Sequence, residues 1–214
     1  MLNIQRFECN MFQENCYVVS DETQECVIVD CGAFYPEERA AISNYIRDHK
    51  LQPKHLIATH AHIDHNFGNN TIEDDFKLKP EVHGSDEMLM LNLPAQAQAF
   101  IGLKYTERVA PVGKFFDEND TIAFGTHKFS IIHTPGHTPG SVVFHCAEEG
   151  VAFTGDTLFR LSIGRTDFEF GNHADIQESL HRLATVLPPK TTILPGHGEQ
   201  TTMEYEMKYN PYVK

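Results

Sequence analysis

Short apolar runs, each closed by Gly, Pro or a polar turn, recur along this chain. CYVV at 16–19 and CVIV at 26–29 flank the polar segment SDETQE, which predicts a β-hairpin. From 35 to 50 the spacing lengthens. Ala40, Ala41, Tyr45 and Ile46 fall at helical intervals behind Pro36, Glu37 and Glu38, residues suited to a first turn. A strand leading to position 58, a short helix over 66–76 and a strand over 80–83 follow. Ser85, Asp86 and Glu87 predict a helix start for 88–103, where Met88 to Leu93 is strongly apolar and Pro94 interrupts. That segment reads either as a helix packed on a sheet or as a mobile apolar lid hinged at Pro94. Beyond 120 the pattern predicts strands over 121–124, 128–133, 141–145 and 151–153. A helix over 175–187 carries Ile176, Leu180, Leu183 and Leu187 on one face. A strand over 191–194 and a short helix over 203–208 complete it. The fold class is α/β: two strand-rich halves with helices outside, a four-layered sandwich.

The polar residues that interrupt this pattern carry chemistry. Residues 59–65 read THAHIDH, three imidazoles and a carboxylate at the end of a strand. Such groups are the ligands that borderline metals prefer. In an extended chain i and i+2 share a side, so His60 and His62 can converge on one ion. Asp64 and His65, past the bend, are free to reach a second. His137 lies in TPGHTPGS, Asp156 in TGDT and His197 in PGHG, each on a turn behind an apolar strand. Rigid strands positioning ligand-bearing loops are the usual architecture of a site. A chance cluster of surface histidines does not explain four such loops.

In order and content, HxHxDH, TPGHTPGS, GDTLF and PGHG resemble the metallo-β-lactamase superfamily, over residues 15–212. Within it the chain is similar to the short glyoxalase II-like hydrolases, also called hydroxyacylglutathione hydrolases. SIGRTDF at 162–168 and YNPY at 209–212 extend that likeness. The resemblance implies a four-layered αβ/βα sandwich and two divalent metal ions, zinc first, with iron or manganese as alternatives. It places His60, His62 and His137 on one ion, Asp64, His65 and His197 on the other, and Asp156 between them. Three histidines leave an open position, as in catalytic zinc sites. Water on such an ion ionises near pH ~7, and Asp64 can both ligate and direct the resulting nucleophile, which makes it the candidate catalytic residue.

A thiolate, whose parent pKa is ~8.5, departs without an acid, whereas an amide nitrogen needs one. Thioesters therefore suit this equipment. The longer glyoxalase II enzymes add a helical domain whose basic residues hold glutathione. Residues 1–214 read as a single catalytic domain without it, leaving Lys104, Arg108, Arg160 and Arg165 as candidate grips. Arg165 has an alternative role as a partner of Asp167. The competing activities are a mononuclear iron persulfide (sulfur) dioxygenase using His60, His137 and Asp156, and a lactonase, β-lactamase or other ester hydrolase. His133 reads as a ligand-orienting or core histidine, and Asp30 as a turn residue.

Composition narrows the partners. Against 17 Lys and Arg stand 30 Asp and Glu, a formal net charge of −13, which opposes nucleic-acid binding. No apolar run approaches the ~18 residues of a membrane span, and the first nine residues lack the pattern of an export signal. Five cysteines without CxxC spacing read as reduced thiols, structural rather than nucleophilic. The expectation is a cytoplasmic enzyme acting on a small-molecule thioester, with neither nucleic acid nor membrane as partner; oligomeric state is not legible. Elemental analysis of the purified protein is expected to find about two divalent ions per chain. Close to one iron with negligible zinc would support the dioxygenase instead.

Overall fold

The computed structural model describes residues 1–213. β1 (Asn3–Cys9), β2 (Glu14–Ser20) and β3 (Glu25–Val29) form an antiparallel meander in which Tyr17 pairs with Arg6 on one side and Val29 on the other. The CYVV and CVIV runs are thus β2 and β3, as the hydrophobic pattern predicts. α1 (Pro36–Asp48) then leads to β4 (Gln52–Ile57), parallel to β3. Glu38 fixes the start of α1 by accepting the backbone N–H groups of Phe34, Tyr35 and Asn10.

α2 (Asn69–Phe76) leads to β5 (Pro80–His83), and α3 (Glu87–Leu91) and α4 (Leu93–Ile101) precede β6 (Lys114–Phe116). These strands continue the sheet in parallel, in the order β1-β2-β3-β4-β5-β6. The second sheet is built from β7 (Thr121–Phe124), β8 (His127–His133), β9 (Val142–Cys146) and β10 (Val151–Gly155), all antiparallel. A small hairpin, β11 (Leu158–Phe159) and β12 (Ser162–Ile163), stands off it. α5 (His173–Val186) carries the chain over to β13 (Thr192–Pro195), parallel to β10, and β14 (Thr201–Thr202) and α6 (Met203–Tyr209) follow.

Burial accounts for the layers. Tyr17, Val19, Val27, Val29 and Ile57 face Phe129, Ile131, Phe144 and Phe153 across the space between the sheets. The alternate residues Cys16, Val18 and Ile28 pack outward on Ile42 and Ile46 of α1 and Ile72 of α2. On the far side, Ile176, Leu180 and Leu183 of α5 cover Val143, Ala152 and Ile193. Central strands are therefore apolar on both faces, which is why they read as continuous runs. α3 and α4 form a smaller cluster with Ala61, Ile63 and Phe67, beneath the loop that follows β4.

Two expectations change. β1, β6, β11, β12 and β14 lack an apolar run strong enough to announce them; β1 alternates exposed and part-buried positions, and the others have two or three residues. Pro94 does not hinge one long helix: the break falls at Asn92, and Pro94 occupies the first turn of α4, where a missing N–H costs nothing. Among the described residues, no helix is long and apolar enough to cross a membrane.

The phenylalanine layer that the second sheet presents to the first should contribute heavily to stability. Phe129 is fully buried, with ring centroids 5.1 Å from Phe124 and 5.5 Å from Phe153. Phe129→Ala is expected to cost about 3–5 kcal/mol in urea unfolding. A loss below about 1 kcal/mol, the range of surface substitutions, would mean the sheets are not packed through this ring.

Candidate metal centre

Strand ends deliver the polar groups to one edge of the sandwich. The chain leaving β4 carries His60 and His62 and then turns through a 3-10 helix, Ile63–His65, that holds Asp64. His137 sits in the turn between β8 and β9, Asp156 directly after β10, and His197 directly after β13. Ligand-capable atoms of His60, His62 and His137 lie within 4.8 Å of one another, as do those of Asp64, His65 and His197. Asp156 stands between the sets. Its Oδ2 is 3.4 Å from His137 Nε2, and its Oδ1 is 3.3 Å from His65 Nε2 and 3.6 Å from His197 Nε2. All seven residues singled out in the sequence are thus brought together.

The outer nitrogens explain which atoms face inward. His137 Nδ1–H donates to Arg165 O at 2.7 Å, and His197 Nδ1–H to Phe12 O at 2.9 Å. His65 Nδ1–H donates to Asp30 Oδ2 at 3.0 Å. The Thr59 hydroxyl donates to that same carboxylate oxygen at 2.8 Å, so its lone pair meets His60 Nδ1 at 3.1 Å. Each Nε2 is left aimed at the centre, free to give a lone pair to a cation whenever the ring is neutral. His62 instead turns its Nδ1 inward, 2.8 Å from His137 Nε2.

This arrangement fits divalent cations. His60 Nε2, His65 Nε2 and Asp156 Oδ1 are buried with no hydrogen-bond partner, an expensive condition for polar atoms unless an ion binds them. Burial pushes His60 well below its usual range and His62 down to about 3, with neighbouring imidazoles adding to the effect. That half is held as neutral nitrogen donors. In the other half burial again opposes charge, but Asp156, Asp64 and Asp30 outweigh it and lift His65 well above normal. Burial likewise works against ionising Asp64 and Asp156, yet both are held below the ordinary carboxylate range, Asp64 by His65 and His197, Asp156 by His197 and His65. Neutral donors beside anionic oxygens favour positive charge. Backbone crowding matches: a Cβ on Gly196 would run into Asp156 Oδ1 and His65 Cε1.

Several supporting residues were not legible in the sequence. Asp30 is not merely a turn residue: its carboxylate also accepts Thr59 N–H at 2.7 Å, besides holding His65. Asp86, expected to cap a helix, makes no capping bond. It is fully buried, and one oxygen accepts Ala61 N–H at 2.9 Å and the Thr138 hydroxyl at 2.8 Å. The other accepts Gly140 N–H at 2.6 Å. One carboxylate thereby ties the His60–His65 loop to the His137 loop. Asn15 and Tyr17 hold the third loop, donating to Pro195 O at 3.0 and 2.7 Å. His133 donates to Pro139 O at 2.8 Å, steadying the His137 turn from outside the cluster. Glu14 is fully buried beside His65, and burial pushes its carboxyl well up while His65 opposes that rise.

The centre floors a cavity of about 550 Å³. Phe12, Phe100, Phe159, Ile163, Arg165 and Phe168 wall it; His62, Asp64, His137, Asp156 and His197 face into it. Arg165 pairs with Asp167 through two bonds of 2.7 Å. Lys104, Arg108 and Arg160 do not line it.

Comparison with known proteins decides the family. The model of the metallo-β-lactamase superfamily matches residues 9–197. The chain belongs to that superfamily. It is similar to a hydroxyacylglutathione hydrolase, GloC, of Haemophilus influenzae, with 34% identity over 99% of this chain and 98% of that protein. Among solved structures it is similar to the BLEG-1 B3 metallo-β-lactamase, at a TM-score of 0.90 and 32% identity, covering 99% of this chain and all of that one. A di-iron-bound form of TTHA1623 superposes with a TM-score of 0.86 and 32% identity, over 97% of this chain and 99% of that one. In this superfamily member a four-layered sandwich carries a cluster fit for divalent metal, and the di-iron neighbour leaves the metal's identity open.

Asp86→Ala is expected to weaken metal retention about 10- to 100-fold in a chelator competition, because both ligand loops lose their shared acceptor. Asp86→Asn, which keeps one acceptor oxygen, should fall between. Unchanged retention in a folded Asp86→Ala protein would show that the loops are fixed by other means.

Proposed function

We propose that this metallo-β-lactamase superfamily member is a dinuclear hydrolase of small thioesters, of the hydroxyacyl-glutathione kind or related to it. The observation that carries the reading is the division of Asp156 between two sets of ligand atoms, on the floor of a cavity that a small molecule can enter. Two divalent ions held there, zinc being the first expectation, would supply a Lewis acid and a water that ionises near neutral pH. In the reaction hydroxide adds to the acyl carbon, the carbon–sulfur bond breaks, and sulfur leaves with the bonding pair as thiolate. The acid formed gives up its proton, so that one water is consumed.

The chain's own residues account for the preference for sulfur. Asp64, in the cavity wall, accepts a hydrogen bond from the attacking water and directs its lone pair. The described residues lining the cavity include no Ser, Cys, Thr, Tyr or Lys, so a leaving amine would have only the histidines and carboxylates of the centre itself to protonate it. A thiolate needs no such help. Cys31 is buried with its backbone N–H bonded to His65 O, and its thiol does not reach the cavity. The name of the Haemophilus influenzae relative supports the thioester class. Likeness to a B3 metallo-β-lactamase makes β-lactam opening the second reading. A mononuclear dioxygenase would leave Asp64, His65 and His197 without a task.

The test uses metal-loaded protein and follows thiol release from a lactoyl thioester beside the matching amide and a chromogenic β-lactam. Thioester cleavage is expected to exceed the others in kcat/KM. Asp64→Asn should lower kcat at least about a hundredfold, and Cys31→Ala should leave it nearly intact. Efficient β-lactam opening with inert thioesters, or a dead Cys31→Ala protein that retains its fold and metal, would overturn the proposal.

A further inference from the structure

The walls of the cavity say which thioester it accepts. Phe100 of α4 and Phe168 stack face to face, with centroids 4.6 Å apart and planes 17° apart. Each also meets His62 edge-on, at 5.7 and 5.6 Å, so the pair stands directly over the centre. The Arg165 guanidinium lies 3.8 Å from the centroid of the Phe168 ring and gives both carboxylate oxygens of Asp167 a hydrogen bond. Phe12, Phe159 and Ile163 contribute further apolar wall.

Charge is distributed against an anionic guest. Among the described residues lining the cavity, Arg165 is the only cation besides histidine, and Asp167 already neutralises it. Arg160 pairs with Glu199, and Arg108 with Glu73 and Asp74, all away from the lining. Against the Phe100–Phe168 stack lies a second cleft of about 280 Å³, lined by Leu89, Ala95, Gln96 and Phe170, where among the described residues Glu169 is the only charged group besides histidine. The two spaces share His62, Ala99, Phe100 and Phe168. The Phe100–Phe168 stack thus forms a wall of both spaces. The chain's formal charge of −13 adds a long-range repulsion of anions.

Resting on the thioester reading above, we propose that the preferred substrate has an uncharged, apolar thiol portion lying against the Phe100–Phe168 stack. A hydroxyacyl group of a few atoms leaves most of the 550 Å³ to the thiol. Apolar surface gains free energy there by leaving water. Among the described lining residues the carboxylates of glutathione meet no unpaired cation, and Glu169 and Asp167 repel them.

Three lactoyl thioesters test this, made with glutathione, N-acetylcysteamine and benzyl mercaptan, and assayed on the metal-loaded protein at low salt. The benzyl compound is expected to exceed the glutathione compound in kcat/KM by roughly tenfold or more, the worth of burying one ring. Phe168→Ala should bring the benzyl to N-acetylcysteamine ratio toward one, mainly through KM; Phe168→Leu, which keeps bulk without a ring, should retain part of it. Asp167→Asn should raise kcat/KM for the glutathione compound relative to N-acetylcysteamine, because Arg165 is then unpaired. A wild-type preference for glutathione, or a benzyl ratio that neither Phe168 variant moves, overturns this inference while leaving the thioesterase reading intact. No turnover of any of the three would overturn the thioesterase reading itself, and this inference with it.

Discussion

An imidazole can aim a lone pair at a buried point only if its other nitrogen keeps a proton and has somewhere to put it. Five rings meet that condition or crowd against those that do at the floor of this cavity. The acceptors for His60, His65, His137 and His197 are the Thr59 hydroxyl, the Asp30 carboxylate, and the carbonyls of Arg165 and Phe12. They come from distant parts of the chain: the turn after β1, the end of β3, the exit of β4 and the segment after β12. The centre therefore exists only in the folded protein, and any cation bound there would add its binding energy to folding.

Holding those acceptors in register falls to the two sheets. Parallel pairing of β3 with β4, and of β10 with β13, places the ends of four strands at one edge. Bonds then cross from one sheet to the other at that edge: Val142 N–H to Thr59 O at 2.9 Å, and Asn15 N–H to Gly196 O at 2.7 Å. Asp86 adds a third link between the loop after β4 and the turn after β8. Its burial raises its own pKa, while the bonds from Thr138, Ala61 and Gly140 oppose that rise. A carboxylate kept in such a place works as a fixed acceptor for both loops. The apolar layer between the sheets, rich in phenylalanine, keeps these crossing bonds from shearing.

What was legible in the sequence follows from distance along the chain. His60, His62, Asp64, His65, His137, Asp156 and His197 each sit within a few residues of the strand and turn that present them, so local pattern found them all. Asp30 and Asp86 act on partners 25 to 54 residues away, a separation no local pattern encodes. The central strands were clear because they are apolar on both faces, and β1 was not because one side is wet. Pro94 misled for a related reason: a proline ends one helix or opens the next, and only the backbone at Asn92 decides which. The candidate grips for glutathione were chosen by charge alone. Ion pairing removes Arg108, Arg160 and Arg165 as free cations, and of these pairs only Arg165 with Asp167, two residues apart, was legible in the sequence.

The anchors themselves divide into two kinds, and the division separates chemistry from selectivity. His60 and His65 are held by side chains, Thr59 and Asp30, that are buried away from the cavity. Changing either would disturb the centre without altering the side chains that line the cavity. His137 and His197 are held by main-chain carbonyls, and the residues that supply them, Arg165 and Phe12, turn their side chains into the cavity wall. A carbonyl anchor survives substitution of its side chain provided the backbone stays put. The wall at these positions is therefore free to vary in shape and charge while the two histidines keep their tautomers. The backbone near Arg165 is held independently of its guanidinium, by the His137 bond itself and by the pairing of β11 with β12 just upstream. One centre can in this way serve different substrates, because the atoms that choose the guest are not the atoms that orient the ligands.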